Sequence, residues 1–66
     1  MIRLADDLIT WRAVYRVTQQ QLADLVGVSR KTVTRWELEQ RRPREDHYNE
    51  LRYIISQPPY WWDRNG

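Results

Sequence analysis

The cationic side chains of this sequence concentrate in residues 30–44, which carry six cations against two anions and a net charge of +4. The residues before this segment are neutral in sum, and those after it sum to −2. Ten of the eleven cations are arginine, whose planar guanidinium forms paired hydrogen bonds with phosphates and with guanine edges. This pattern indicates either an ordinary solvated charged face or a surface that binds a polyanion.

Side chains suited to other chemistry are sparse. The chain has no cysteine, and a single histidine, His47, cannot form a metal site by itself. The acidic pairs Asp6-Asp7 and Glu45-Asp46 suit helix N-termini or solvated surface, and no nucleophile stands beside a base. We expect His47 on a helix surface or partly buried. The sequence therefore predicts no enzyme activity, no metal, no cofactor and no small-molecule ligand.

Size and composition set further bounds. A chain of 66 residues makes one domain, which buries only about 60% of its unfolded surface and gains from a partner or a second copy. No apolar run approaches the ~20 residues of a membrane span, and the N-terminal residues are too charged for a signal peptide. These features indicate a cytoplasmic protein with no membrane contact.

Apolar residues recur at helical spacing and predict four short helices, over residues 2–16, 19–26, 30–39 and 44 or 45–57, the last ended by two prolines. No segment has a convincing strand pattern. The residues expected to face inward are Leu4, Leu8, Ile9, Trp11, Tyr15, Leu22, Ala23, Leu25, Val26, Val33, Trp36, Tyr48, Leu51, Ile54 and Ile55. The predicted fold is all-α, a compact bundle of four short helices with a short aromatic tail.

The second and third helices are joined by a very short connection. Thr18 and Ser29 are suited to cap their N-termini, and Gly27 can take the left-handed conformation that ends many helices. A connection of about three residues forces a sharp crossing of the two helices.

The third helix has a narrow apolar side and a polar side. At 100° per residue, Val33 and Trp36 lie within about 60° of each other, with Glu37 beside them. The opposite side carries Lys31, Thr34, Arg35 and Leu38, and Arg30 lies in the first turn. A helix of about ten residues with polar tips fits the major groove of B-DNA, although an ordinary amphipathic surface helix is also polar outside.

The run T-Q-Q-Q-L-A-D-L-V-G-V-S-R-K-T-V-T-R-W-E, residues 18–37, resembles the helix-turn-helix of lambdoid phage repressors, Cro proteins and their bacterial relatives, the xenobiotic-response-element type. Gln19 opens the motif, Ala23 is the small residue at the crossing, and Gly27 is the turn glycine. The buried positions of the motif hold Leu22, Val26, Val28, Val33 and Trp36. The resemblance covers about residues 4–44 and implies a lambda-repressor-like fold.

The resemblance implies roles for individual side chains on double-stranded DNA. The residues implied to contact bases in the major groove are Arg30, Lys31, Thr34 and Arg35. The residues implied to contact phosphates are Thr18, Gln19, Arg41, Arg42 and Arg44. Open amides and the helix dipole at the start of the second helix favour such an anion contact.

Arg12 and Glu37 match a family pair that bridges the first and third helices. Because both have apolar neighbours in the sequence, each would need the other if buried. The alternative is that both are exposed charges.

Two positions depart from the family. Arg16 and Glu39 stand where glycine is usual, so we expect the helices before them to run longer or to end without a left-handed residue. Glu39 also places an anion beside residues 41–44, and we expect it to turn away or to pair with Arg41 or Arg42.

The chain divides into a predicted DNA-binding domain, residues 1–57, and an aromatic tail, residues 58–66. Tyr60, Trp61 and Trp62 form a large apolar area in this tail. They either fold back to complete the core or form a dimer contact.

Together these features predict a sequence-specific transcriptional regulator, a repressor that occupies an inverted-repeat operator as a homodimer, in a phage, prophage or plasmid switch. It would be nucleoid-associated when bound. Two alternatives stay open on the same fold. One is an antitoxin-like or protein-interaction module, and the other is a DNA-architectural or recombination accessory protein.

Overall fold

Four α-helices occupy the residues that the computed structural model describes, 3–63. They are α1 (Leu4–Tyr15), α2 (Gln19–Val26), α3 (Arg30–Glu37) and α4 (Glu45–Ile55), and no strand occurs within the described range. The predicted all-α fold of four short helices is confirmed. Within the same range, no helix has the length and apolar character needed to cross a membrane.

The core lies where the four helices meet. Each helix contributes one large side chain that is fully buried, namely Leu8, Leu22, Val33 and Leu51. The most extensive helix–helix contact is between α2 and α3, and α1 packs against both α3 and α4. Helices of 8 to 12 residues are not stable alone in water, so this shared core holds each of them in place.

Two residues expected in the core are substantially exposed. Ile9 is 43% exposed and Tyr48 is 40% exposed, so both predictions are wrong. The buried residues of α1 are Ala5, Leu8 and Trp11. Their spacing defines a stripe too narrow to include Ile9, which lies at its outer edge.

The chain reverses directly after α1. Arg16 adopts the left-handed conformation with φ of 55°, so the expected longer helix or end without a left-handed residue is wrong here. The N–H of Val17 donates to the carbonyl of Arg12 at 2.9 Å, and the Val17 side chain is 3% exposed. Burial of Val17 therefore compensates a conformation that costs a non-glycine residue about 1–2 kcal/mol. The predicted start of this helix, at residue 2, lies outside the described residues.

A second left-handed residue follows α3. This helix ends at Glu37, two residues earlier than predicted, and Glu39 has φ of 59°. The N–H groups of Glu39 and Gln40 donate to the carbonyls of Trp36 and Arg35, at 3.2 and 2.9 Å. The same prediction is therefore wrong at this helix end as well.

The end of α4 is fixed by a contact with α1. The helix stops at Ile55 rather than at Gln57. The Trp11 indole N–H donates to the carbonyl of Gln57 at 2.8 Å. That carbonyl therefore ties the chain after α4 to α1.

Candidate nucleic-acid interface

The turn between α2 and α3 fixes the direction of α3. Gly27 has φ of 82° and donates its N–H to the carbonyl of Ala23 at 2.8 Å, which confirms the predicted left-handed glycine. The Ser29 hydroxyl accepts from the N–H of Thr32 at 3.2 Å and caps α3 as predicted. Ala23 is fully buried, so α2 and α3 can approach closely where they cross.

The two sides of α3 differ sharply in exposure. Val33 is fully buried and Trp36 is 4% exposed, so the narrow apolar side faces the core as predicted. We call the polar side of α3 the recognition surface, and it consists of Arg30, Lys31, Thr34 and Arg35. None of its three cations has an ion-pair partner among residues 3–63. These charges are free to bind an external anion or a base edge.

Thr34 has a more constrained environment than the other three. Its hydroxyl donates toward the side-chain carbonyl of Gln19 at 3.0 Å and toward the backbone carbonyl of Arg30 at 3.1 Å. The single hydroxyl proton is thus engaged within the protein. Toward a ligand, Thr34 offers an oxygen that can accept a hydrogen bond.

A buried ion pair joins α1 to α3. The Arg12 guanidinium donates from Nε and from its second terminal nitrogen to the two carboxylate oxygens of Glu37, both at 2.6 Å. The Glu37 side chain is 5% exposed and the Arg12 side chain 20%, which excludes the alternative of two exposed charges. Arg12 also donates to the carbonyl of Val17 at 3.2 Å. Paired geometry of this kind fixes the orientation of both side chains.

Gln19 connects this ion pair to the recognition surface. Its Nε2 donates to Glu37 at 3.0 Å, while its side-chain oxygen accepts from Thr34. A continuous set of hydrogen bonds therefore runs from α1 through α3 to the start of α2. The sequence reasoning missed the Gln19 contacts, and the only signal for them was the polarity of a residue at a helix start.

The start of α2 is well formed for an anion contact. The Thr18 hydroxyl accepts from the N–H of Gln21 at 3.0 Å, and the Gln21 side chain accepts from the N–H of Thr18 at 2.9 Å. This reciprocal cap leaves the amides of Gln19 and Gln20 ahead of the first intrahelical bond, which Leu22 makes to Thr18. The side-chain amide of Gln19 has two N–H groups, and the one that does not donate to Glu37 can donate to an anion.

The basic loop, residues 41–44, follows α3 and is strongly exposed at its arginines. Arg41 and Arg42 have no ion-pair partner among the described residues, and Arg44 lies 3.8 Å from Asp46 with both side chains mostly exposed. The N–H of His47 donates to the Asp46 carboxylate and lowers the pKa of that carboxyl. Such exposed pairs contribute little to stability.

Glu39 pairs across the molecule with Arg3. The Arg3 guanidinium donates to the Glu39 carboxylate at 2.7 Å. The expected pairing of Glu39 with Arg41 or Arg42 is therefore wrong. Nothing in the sequence signalled this contact, because the two residues are 36 positions apart.

The aromatic tail is divided between packing and exposure in the part that the structure describes, which ends at residue 63. The Trp62 ring lies 5.5 Å from the Tyr15 ring, edge to face. The backbone N–H of Trp62 donates to the carbonyl of the buried Pro59 at 2.9 Å. Tyr60 is 86% exposed and contacts Trp61 at 5.0 Å between ring centroids. The tail thus folds back on α1 through Trp62 and keeps Tyr60 at the surface.

No group of three or more acidic, histidine or cysteine residues suited to a metal ion occurs between residues 3 and 63. His47 is half-buried beside the Trp36 ring, at 5.6 Å between centroids. Its position therefore fits packing against α3.

Comparison with known proteins gives one match. A family model described as helix-turn-helix, of the Cro/C1 type, matches residues 15–51, more than half of the chain. This segment includes α2, the turn, α3 and the basic loop. No curated protein and no solved structure matches the chain significantly.

Proposed function

Because the chain belongs to the Cro/C1-type helix-turn-helix family and is a DNA-binding transcription regulator, we propose that it is a repressor that occupies a specific operator as a homodimer. The observation that carries this proposal is the contrast between the two sides of α3. Its apolar side is fixed in the core, and its outward cations lack partners among the described residues.

The recognition surface contacts base edges in the major groove. Arg30, Lys31 and Arg35 donate to guanine or other acceptors, and Thr34 accepts from a base donor. Arginine with its paired donors distinguishes guanine from the other bases, and each such pair contributes about 1–3 kcal/mol of discrimination.

The surrounding positive and polar groups hold the phosphate backbone. Thr18 and Gln19 bind a phosphate at the start of α2, where the open amides and the helix dipole attract an anion. Arg41, Arg42 and Arg44 bind phosphates beside the groove and add affinity that depends on salt but not on sequence. This division separates residues that specify the site from residues that position the protein on it.

A homodimer follows from the small number of base pairs that one short helix can contact. Two copies related by a two-fold axis place their α3 helices in successive major grooves, about 34–36 Å apart. We assign the dimer contact to the surface around Tyr60 and Trp61, and the packing role of the tail to Trp62. In this division the DNA-binding domain comprises residues 1–57, and the tail, residues 58–66, completes the core and joins two copies.

Occupancy of the operator explains repression without a further activity, because a protein bound across a promoter excludes polymerase. The cytoplasm, with association to the nucleoid when bound, is the matching location. A phage, prophage or plasmid switch is the genetic setting that we propose.

Selection of bound duplexes from a random DNA pool tests this function. The expected result is an enriched inverted repeat whose half-sites are one helical turn apart. Affinities for the selected and a scrambled duplex should then differ by at least about 10³-fold. Equal affinities would contradict a regulator and support a DNA-architectural or recombination accessory protein.

The exposed aromatic residues favour a second candidate, a protein-interaction module that binds DNA secondarily. Tyr53 and Tyr60 are 67% and 86% exposed and lie outside the recognition surface. Sedimentation of the free chain and of the chain on a selected duplex separates the two functions. Two copies per duplex support the homodimer, whereas one copy per duplex would favour a different protein partner for this surface.

A further inference from the structure

Glu39 occupies a costly backbone position at the edge of the proposed DNA-binding face. Its φ of 59° is left-handed, a conformation that disfavours any residue with a Cβ, and it lies between α3 and the basic loop. Glycine would take this conformation without cost. A glutamate at this position therefore indicates that its side chain has a role that offsets the cost of the backbone conformation.

The ion pair with Arg3 does not supply stability that would explain it. The Arg3 side chain is 68% exposed and that of Glu39 is 44% exposed, although their nitrogen and oxygen are 2.7 Å apart. Exposed ion pairs contribute little or nothing to the free energy of unfolding, because water and salt screen the two charges. The pair therefore contributes little to folding, and the charge of Glu39 remains able to act on a bound polyanion.

An open groove of about 650 Å³ surrounds this pair. Its charged lining residues are Arg3, Glu39, Arg41, Arg42 and Arg52. Glu39 is the one acid among the lining residues, within the part of the chain that the structure describes. Its carboxylate therefore weakens the positive field of a groove that continues the basic loop.

We infer that Glu39 is an attenuator of DNA affinity and that Arg3 is its counterion, an inference that rests on the proposed function. The carboxylate repels the phosphates that pass Arg41 and Arg42, and this repulsion is independent of base sequence. Arg3 offsets part of it because Glu39 holds the guanidinium beside the basic loop. The pair sets how tightly the protein holds any duplex while leaving base preference to α3.

Replacement of the carboxylate tests the inference. Glu39→Gln keeps the size of the side chain and should raise affinity for the selected and the scrambled duplex alike, by about three- to tenfold in dilute salt. Added salt should shrink this gain, since it screens the repulsion. Glu50→Gln is the matched control, because Glu50 is exposed on α4 and outside the groove lining, and it should change affinity much less.

Glu39→Gly separates the backbone from the charge. It should raise the melting temperature by a few degrees, since the left-handed conformation no longer costs free energy, and raise DNA affinity as much as Glu39→Gln does. A gain in affinity with Gly but not with Gln would show that the backbone matters and would overturn the attenuator.

Arg3→Gln tests the counterion. It should lower affinity in the wild-type background and have a smaller effect in the Glu39→Gln background, because nothing then holds Arg3 beside the loop. Equal losses in the two backgrounds would overturn the counterion role.

If the wild type binds the selected duplex and Glu39→Gln binds no more tightly, the attenuator is wrong while the proposed function stands. If the wild type binds no duplex, the proposed function itself fails.

Discussion

Arg12 and Glu37 face each other across the contact between α1 and α3 and share two hydrogen bonds of 2.6 Å. Gln19 also donates to Glu37, so three helices converge on one buried carboxylate. The helix that presents the proposed base contacts is therefore tied to the scaffold by charge as well as by apolar packing. Rigid placement of α3 is what paired contacts with bases require.

Glu37→Ala should lower the free energy of unfolding by about 3 kcal/mol, because the Arg12 guanidinium would lose its partner in a mostly buried place. The same variant should weaken binding to the selected duplex, since α3 and Gln19 lose a common support. Urea unfolding and duplex titration measure the two effects.

Arg44→Ala is the control for the stability of this variant, because the Arg44–Asp46 pair is mostly exposed at 3.8 Å. It should leave the free energy of unfolding within about 0.5 kcal/mol of the wild type. The importance of the buried pair would be refuted by a Glu37→Ala protein with unchanged stability and unchanged DNA affinity.

Gly27→Ala should lower the free energy of unfolding by about 1 kcal/mol, because alanine disfavours the backbone conformation and not because its Cβ meets another atom. Its φ is 82°, and a Cβ built there meets no heavy atom within 4 Å. Gly27→Asn should cost less, since asparagine tolerates the left-handed region better than alanine. Thermal unfolding measures both, and the two variants should keep the base preferences of the wild type. An alanine variant as stable as the wild type would contradict the conformational argument.

The described part of the aromatic tail should separate into two functions on mutation. Trp62→Ala should lower the free energy of unfolding by about 1 kcal/mol, because the ring packs edge to face on Tyr15. Tyr60→Ala should leave that free energy nearly unchanged, since the side chain is 86% exposed. It should instead reduce cooperative binding of two copies to an inverted repeat. Sedimentation on DNA measures this, and undiminished assembly by Tyr60→Ala would place the dimer contact elsewhere.

The features that local chemistry controls could be predicted from the sequence. Thr18 and Ser29 cap helices through their own hydroxyls, and Gly27 ends one through its freedom at positive φ. The inward side of α3 followed from the spacing of Val33 and Trp36. In each case the cause lies within a few residues of the effect.

The features set by tertiary contacts could not be predicted in this way. Arg16 and Glu39 are left-handed although neither residue favours it, and the burial of Val17 compensates the first of them. The Arg3–Glu39 pair and the hydrogen bond from Trp11 to Gln57 join segments far apart in the chain. Their causes appear only when the helices are packed together.

The proposed division of labour between α3 and the basic loop is tested most directly by comparing Arg35→Ala with Arg42→Ala. Each variant is titrated with the selected duplex and with duplexes changed at single base pairs. Arg35→Ala should lose about 1–3 kcal/mol and lose preference at one or two particular base pairs. Arg42→Ala should weaken binding to every duplex alike. It should also reduce, by about 1, the slope of the logarithm of the binding constant against the logarithm of the salt concentration. Identical profiles for the two variants would contradict the assignment of base contacts to α3.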